Sequence, residues 1–134
     1  MKTLQSKITI NAKIVTGKGR GKKIGVPTIN FSIPKNLSLQ PGVYAAWLYI
    51  KNNRYPTAIH FGQRPVFKEE DMSLEAHIIN NNIPPEIPDQ AEIELLSYIR
   101  PIQTFSSVPD MVKQIKKDIE EIKTILALKN RSPS

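Results

Sequence analysis

Residues 7–15 read KITINAKIV. Polar and apolar side chains alternate there from Lys7 to Ile14. Ile8, Ile10, Ala12 and Ile14 share one side, and Lys7, Thr9, Asn11 and Lys13 share the other. A period of two predicts a strand with one face buried and one face wet. Further along, related signals recur. Residues 28–33 form a short strand that runs into the turn-rich PKNLSLQPG. GVYAAWLYI (42–50) and YPTAIHF (55–61) flank the polar turn KNNR (51–54), which predicts a hairpin. SLEAHII (73–79) and AEIELLSYI (91–99) are two more strands, separated by the proline-rich loop NNNIPPEIPD (80–89).

The pattern changes after residue 106. Val112, Ile115, Ile119, Ile122 and Leu126 recur at helical spacing, which predicts a helix over 107–128 with this stripe against the sheet. Ser107 is placed as its N-cap, with Pro109 in the first turn and Asp110 three residues on. Residues 129–134 read as a frayed tail. Five or six antiparallel strands followed by one helix predict a mostly β fold. The expected architecture is a small closed antiparallel barrel, about 7–100, carrying a C-terminal helix. No repeat or linker divides the chain, so residues 1–134 are expected to form one domain.

Composition bounds the function. The chain has 134 residues, 40% of them hydrophobic and 23% charged, which is ordinary globular usage. No apolar run approaches the length of a membrane span, and the N-terminus shows no signal-peptide pattern. With no cysteine, disulfides and thiolate metal sites are excluded, and a cytoplasmic location is expected. Two histidines are too few for a dedicated zinc site. The net charge of +7 favours an anionic partner.

That charge is concentrated in GKGRGKKIGVPTIN (17–30). Gly17, Gly19, Gly21 and Gly25, four of the six glycines in the chain, are interleaved with Lys18, Arg20, Lys22 and Lys23. The segment matches neither common phosphate fingerprint. A P-loop beginning at Gly17 needs glycine where Lys22 stands. A dinucleotide-binding turn fails at Lys22 from Gly17 and at Ile24 from Gly19. The physics of a phosphate site still holds, because glycines let backbone N–H groups approach an anion and the basic side chains add charge. A plain basic loop is the alternative on composition alone. Pro27 then fixes the direction of the chain. In an extended segment Thr28 and Asn30 point the same way, offering two neutral hard oxygens suited to Mg²⁺ between phosphates. An ordinary polar pair is the bland reading.

These residues carry a resemblance. The glycine-rich stretch and PTIN resemble the signature and P-T-x-N motif of the riboflavin kinase (flavokinase) family. LQPGVYAAWLYI resembles its P-G-V-Y strand, FGQRPVF (61–67) its I-G-x-R-P-T-F segment, and LEAHII (74–79) its E-x-H strand. IRPIQTF (99–105), with the helix after it, resembles the family's closing block. The blocks keep the family's order over about residues 8–126. The resemblance implies a six-stranded Greek-key barrel that transfers the γ-phosphoryl of ATP, with Mg²⁺, to the ribityl 5′-hydroxyl of riboflavin, giving FMN. Carried over by position, Thr28 and Asn30 would contact Mg²⁺ and phosphates. Gly17, Gly19, Gly21 and Gly25 would form the phosphate flap, with Arg20, Lys22 and Pro27 on the nucleotide side. Glu75 would be the catalytic base, His77 a structural or orienting residue, and Arg100 and Phe105 would lie on the flavin side.

The chain departs from the family at His60, where asparagine is usual, and at Val66, where threonine is usual. The 80–89 loop also lacks the usual Leu-Tyr-Gly turn. These departures lie on the flavin side and motivate an alternative, a flavin- or nucleotide-binding module impaired in catalysis. A basic barrel binding RNA or single-stranded DNA is a third reading, weakened because GKGRGKK has no aromatic beside its charges. No stretch matches the adenylyltransferase domain that bacterial members often carry, so FMN is the expected product. The expected partners are small molecules, with no membrane, and the protein is expected to be a monomer. Trp47, on a strand, is assigned to the core rather than to flavin stacking.

Overall fold

The computed structural model describes residues 2–16, 25–64, 69–81 and 83–130. Six strands appear in chain order: β1 (Lys2–Val15), β2 (Ile29–Phe31), β3 (Gly42–Ile50), β4 (Asn53–Arg64), β5 (Glu69–Ile78) and β6 (Gln90–Arg100). One 3₁₀ turn (Ile79–Asn81) follows β5, and the helix α1 (Val108–Asn130) follows β6. All the strand pairings are antiparallel, and they close a barrel in the order β1-β2-β5-β4-β3-β6. Closure gives each strand a neighbour on both sides, which reduces the pairing hazard of an open antiparallel sheet, although β2 meets β1 only at Ile14 and Val15.

The alternation of residues 7–15 survives in β1. Ile10 and Ala12 are buried in the barrel and Ile8 and Ile14 pack against its core, while Thr9, Asn11 and Lys13 are exposed. The same parity runs round the wall. Ile29 and Phe31, Tyr44, Ala46 and Leu48, Ile59 and Phe61, Leu74, Ala76 and Ile78, and Ile93 and Leu95 all point inward. A second apolar cluster lies on the outside of the wall. Val43, Ala45, Ile79 and Ile99 meet Ile122, Ile125 and Leu126 of α1 there.

Several expected elements shift. β1 begins at Lys2 and β5 at Glu69, earlier than the alternation marked, and both carry irregular pairings: β1 between Thr3 and Ile8, β5 opposite Gly62 and Arg64. β2 is only three residues long. The β3–β4 turn is tighter than 51–54, because Ile50 pairs with Asn53 and leaves Lys51 and Asn52 to turn, Lys51 at φ 57°. Pro56 sits inside β4, where it is tolerated because pairing with β5 stops at Thr57–Ile78 and leaves that side of Pro56 unclaimed. Gly42 opens β3 where the wall leaves no room for a side chain. A Cβ there would lie 2.5 Å from both the Arg100 carbonyl oxygen and the Tyr98 ring.

Trp47 is not in the barrel interior. It is half-buried beside the outer cluster, with the Arg54 guanidinium 4.1 Å above its ring. The helix starts as expected, since the Asp110 N–H donates to Ser107 Oγ at 3.2 Å. Its buried face is rotated from the expected stripe, however. Met111, Asp118, Ile122, Ile125 and Leu126 are buried, whereas Val112, Ile115 and Ile119 are half-buried. Asp118 can occupy the buried face because Arg100 meets it from the end of β6: Nε donates to both carboxylate oxygens at 3.0 Å, and Nη2 lies 2.9 Å from Oδ2.

Candidate active site

Pairing register draws one line of outward-facing positions across the wall. Asn30 of β2 is opposite Glu75 of β5, and Glu75 is opposite His60 of β4. His60 is opposite Val43 of β3, and Val43 is opposite Arg100 of β6. Residues far apart in the chain thus share one row because each is odd or even in step with its neighbour's ladder. Glu75 faces outward for the reason visible in SLEAHII: Leu74 and Ala76 are taken by the core, at 1% and 0% exposure.

The Glu75 side chain is only 13% exposed and is held at both oxygens. Thr28 Oγ1 donates to Oε1 at 3.1 Å. Arg64 Nε donates to Oε2 at 2.6 Å and Ser73 Oγ at 2.9 Å. Burial pushes this carboxyl up. The charge and hydrogen bond of Arg64, the Ser73 hydroxyl and the charge of His60 outweigh it, so Glu75 titrates below the ordinary carboxylate value and is ionised at neutral pH.

Pro27 and Thr28 are fixed from behind. His77, two residues beyond Glu75 on the same outer face, brings Nδ1 to 2.8 Å from the Pro27 carbonyl. A carbonyl can only accept, so Nδ1 carries the proton and the ring clamps the entry to β2. Among the described residues the Asn30 side chain makes no hydrogen bond, so its carboxamide oxygen stays available beside Thr28 and Glu75. Gly25 adopts φ +81°, a left-handed conformation that favours glycine, with open space where a Cβ would stand. His60 Nε2 lies 3.2 Å from the Gly62 carbonyl. Burial and then the neighbouring Arg64 charge push the imidazole down to about 4, so it is neutral at pH 7.

Pro27, Thr28, Asn30 and Glu75 therefore come together. Arg100 lies in the same row but is engaged by Asp118 and donates to the Pro101 carbonyl, with the Phe105 ring 5.8 Å from its guanidinium. Gly17, Gly19, Arg20, Gly21 and Lys22 lie outside the described residues, as does Val66. Arg64 and Ser73 are not among the site residues expected from the sequence. The only signal for Arg64 was its place in FGQRPVF, one strand away from a carboxylate of opposite sign.

Fold and site together give a closed antiparallel β-barrel that carries an ionised carboxylate beside a threonine hydroxyl and an asparagine carboxamide on its outer wall. The family model described as "Flavokinase: Riboflavin kinase" matches residues 4–126, and the chain belongs to this family. It is similar to the riboflavin kinase of Mus musculus, with 30% identity over 124 residues covering 87% of this chain and 79% of the mouse protein. The human riboflavin kinase is 29% identical over the same shares. A bifunctional riboflavin kinase/FMN adenylyltransferase of Buchnera aphidicola is 32% identical over 91% of this chain but only 40% of its own length. A crystal structure described as a macrolide-efflux protein from Streptococcus pneumoniae superposes with a TM-score of 0.73 at 25% identity, covering 88% of this chain and 39% of that one. Among the described residues no helix is long and apolar enough to cross a membrane.

Proposed function

We propose that the protein transfers the γ-phosphoryl group of ATP to the ribityl 5′-hydroxyl of riboflavin, giving FMN, with Glu75 facing the acceptor hydroxyl. The observation that carries this reading is the placement of an ionised, half-buried carboxylate directly beside Thr28 and Asn30. Phosphoryl transfer asks a protein chiefly for alignment and charge stabilisation, plus one group that orients the nucleophile and takes its proton. Glu75 meets the last requirement while its neighbours meet the first.

Thr28 and Asn30 fit Mg²⁺ by the chemistry of their donors. The Thr28 hydroxyl gives its proton to Glu75 and keeps its lone pairs for a cation, and the Asn30 carboxamide adds a second neutral oxygen. Two such ligands would hold the ion only together with phosphate oxygens, which suits a metal arriving with a nucleotide. Bound there, Mg²⁺ would offset charge on the transferring group. Gly25 would end the phosphate-facing segment of residues 17–25, and Arg20 and Lys22 would add positive charge to it. Arg100 and Phe105 would border the flavin.

The test is Glu75→Gln. It keeps the side chain's shape but removes its capacity to accept a proton, so kcat should fall by about 10²-fold or more, the usual scale for an acid–base group. Riboflavin Kd should stay within a few-fold. A wild-type kcat in a folded variant would remove Glu75 from the reaction.

A further inference from the structure

Glu75 is gripped asymmetrically. Oε2 accepts two hydrogen bonds, from Arg64 Nε at 2.6 Å and Ser73 Oγ at 2.9 Å, whereas Oε1 accepts one, from Thr28 at 3.1 Å. The Arg64 side chain is itself only 16% exposed. Its reach depends on an irregular stretch of the wall. Gly62 pairs with Ser73, but Arg64 pairs with Glu69, so β5 spends four residues where β4 spends two. Regular pairing would put Arg64 opposite Asp71, and the side chain would not stand over the same strand segment.

We propose that Arg64 is a positioning residue that assigns different tasks to the two oxygens of Glu75. With Ser73, it saturates Oε2 and locks the carboxylate plane. Oε1 is then the oxygen left to face the acceptor hydroxyl, beside the metal ligand Thr28. A carboxylate on a flexible side chain has two equivalent oxygens and several rotamers. Fixing one oxygen by a charge-assisted bond removes that freedom before substrate arrives. Arg64 also prevents Glu75 from turning both oxygens toward a cation at Thr28 and Asn30, which would convert the base into a metal ligand. Ser73 completes the grip: its single proton goes to Glu75, at 2.9 Å, rather than to the more distant Gly62 carbonyl at 3.2 Å, which His60 already approaches at 3.2 Å.

This inference rests on Glu75 acting on the acceptor, and a double-mutant cycle separates the two. In steady-state assays with riboflavin and Mg-ATP, Arg64→Ala should lower kcat by about 10- to 100-fold with riboflavin KM within about threefold. Arg64→Lys keeps the charge but not the geometry of the guanidinium, and should recover only part of the loss. Added guanidinium ion should raise the kcat of Arg64→Ala and leave Arg64→Lys unchanged. In the Glu75→Gln background, Arg64→Ala should cost almost nothing more, because its effect runs through Glu75. If Arg64→Ala leaves kcat at the wild-type level, or multiplies the Glu75→Gln loss in full, the positioning role is overturned while Glu75 keeps its own. A wild-type kcat for Glu75→Gln would instead remove the base on which the proposal stands. If Arg64→Ala does not fold, Arg64→Lys alone and in the Glu75→Gln background provides the same cycle.

Discussion

His60 stands next to Glu75 in the outward row, where the family usually has asparagine, and its burial has a measurable thermodynamic consequence. The imidazole titrates near 6.5 in an unfolded chain and is pushed down to about 4 in the folded one. Above pH 6.5 it is neutral in both states. Between 6.5 and about 4 the unfolded chain takes up a proton that the folded chain refuses, so stability falls with pH through that window and levels off below it. The full effect is on the order of 3 kcal/mol at 1.36 kcal/mol per pH unit. Glu75, held below its ordinary value, also loses stability on acidification, but below about 4.5, so the slope between pH 6.5 and 4.5 owes little to it. Replacing His60 with Gln keeps an N–H for the Gly62 carbonyl and removes the titration. Urea unfolding followed from pH 7 to 4.5 should show a downward slope in the wild type that is largely flattened in His60→Gln. Parallel curves would mean that the imidazole is protonated as readily in the fold as outside it. Glu75 itself could be read from SLEAHII because core neighbours dictate its direction. Its grip by Arg64 could not, since that depends on an irregular pairing with no periodic signature.

At the scale of elements, α1 illustrates how a sequence pattern can be right about an element and incomplete about its face. The N-cap was legible because capping is local chemistry: Ser107, Asp110 and the proline lie within four residues. Ile119, Ile122 and Leu126 of the stripe do meet the sheet, but the buried Asp118 has no signal in the pattern, because a charged residue is normally assigned to solvent and becomes acceptable inside only when a guanidinium arrives from another element. That guanidinium is Arg100, at the end of β6, and Gln114 adds a further donor to Asp118 Oδ1 at 3.0 Å. The side chains of the pair are 13% and 4% exposed, so removing one partner leaves a buried charge unmatched. Asp118→Ala should therefore lower the unfolding free energy by about 3–5 kcal/mol. Arg100→Met combined with Asp118→Leu should recover much of it, because a matched apolar pair carries no desolvation penalty. Urea midpoints for the single and double variants decide the matter, and equal losses in both would mean the pair acts through something other than its charges.

For the whole molecule, the closed barrel was legible because alternation, turn residues and one terminal helix all pointed to the same architecture. The row from Asn30 through Glu75 and His60 to Arg100 was not, because it exists only once register is fixed across β2, β5, β4, β3 and β6. That row also joins the site to global stability. Thr28 precedes and Asn30 lies within β2, a strand of three residues paired on one side to β1 and on the other to β5. A ligand that binds Thr28 and Asn30 only in the closed barrel must stabilise the entire fold by mass action. At a hundred times its Kd this amounts to about 2.7 kcal/mol. For a chain of 134 residues that corresponds to a rise of roughly 10 °C in Tm. Mg-ADP should thus raise Tm by about that amount in the wild type. ADP with EDTA should do much less, if the metal links phosphate to Thr28 and Asn30. Asn30→Ala should lose most of the Mg-dependent part of the shift while keeping its ligand-free Tm within a few degrees, since the carboxamide makes no hydrogen bond among the described residues. An Mg-dependent shift of full size in Asn30→Ala would place the metal elsewhere, and equal shifts with and without Mg²⁺ would assign nucleotide binding to the basic residues of the 17–25 segment alone.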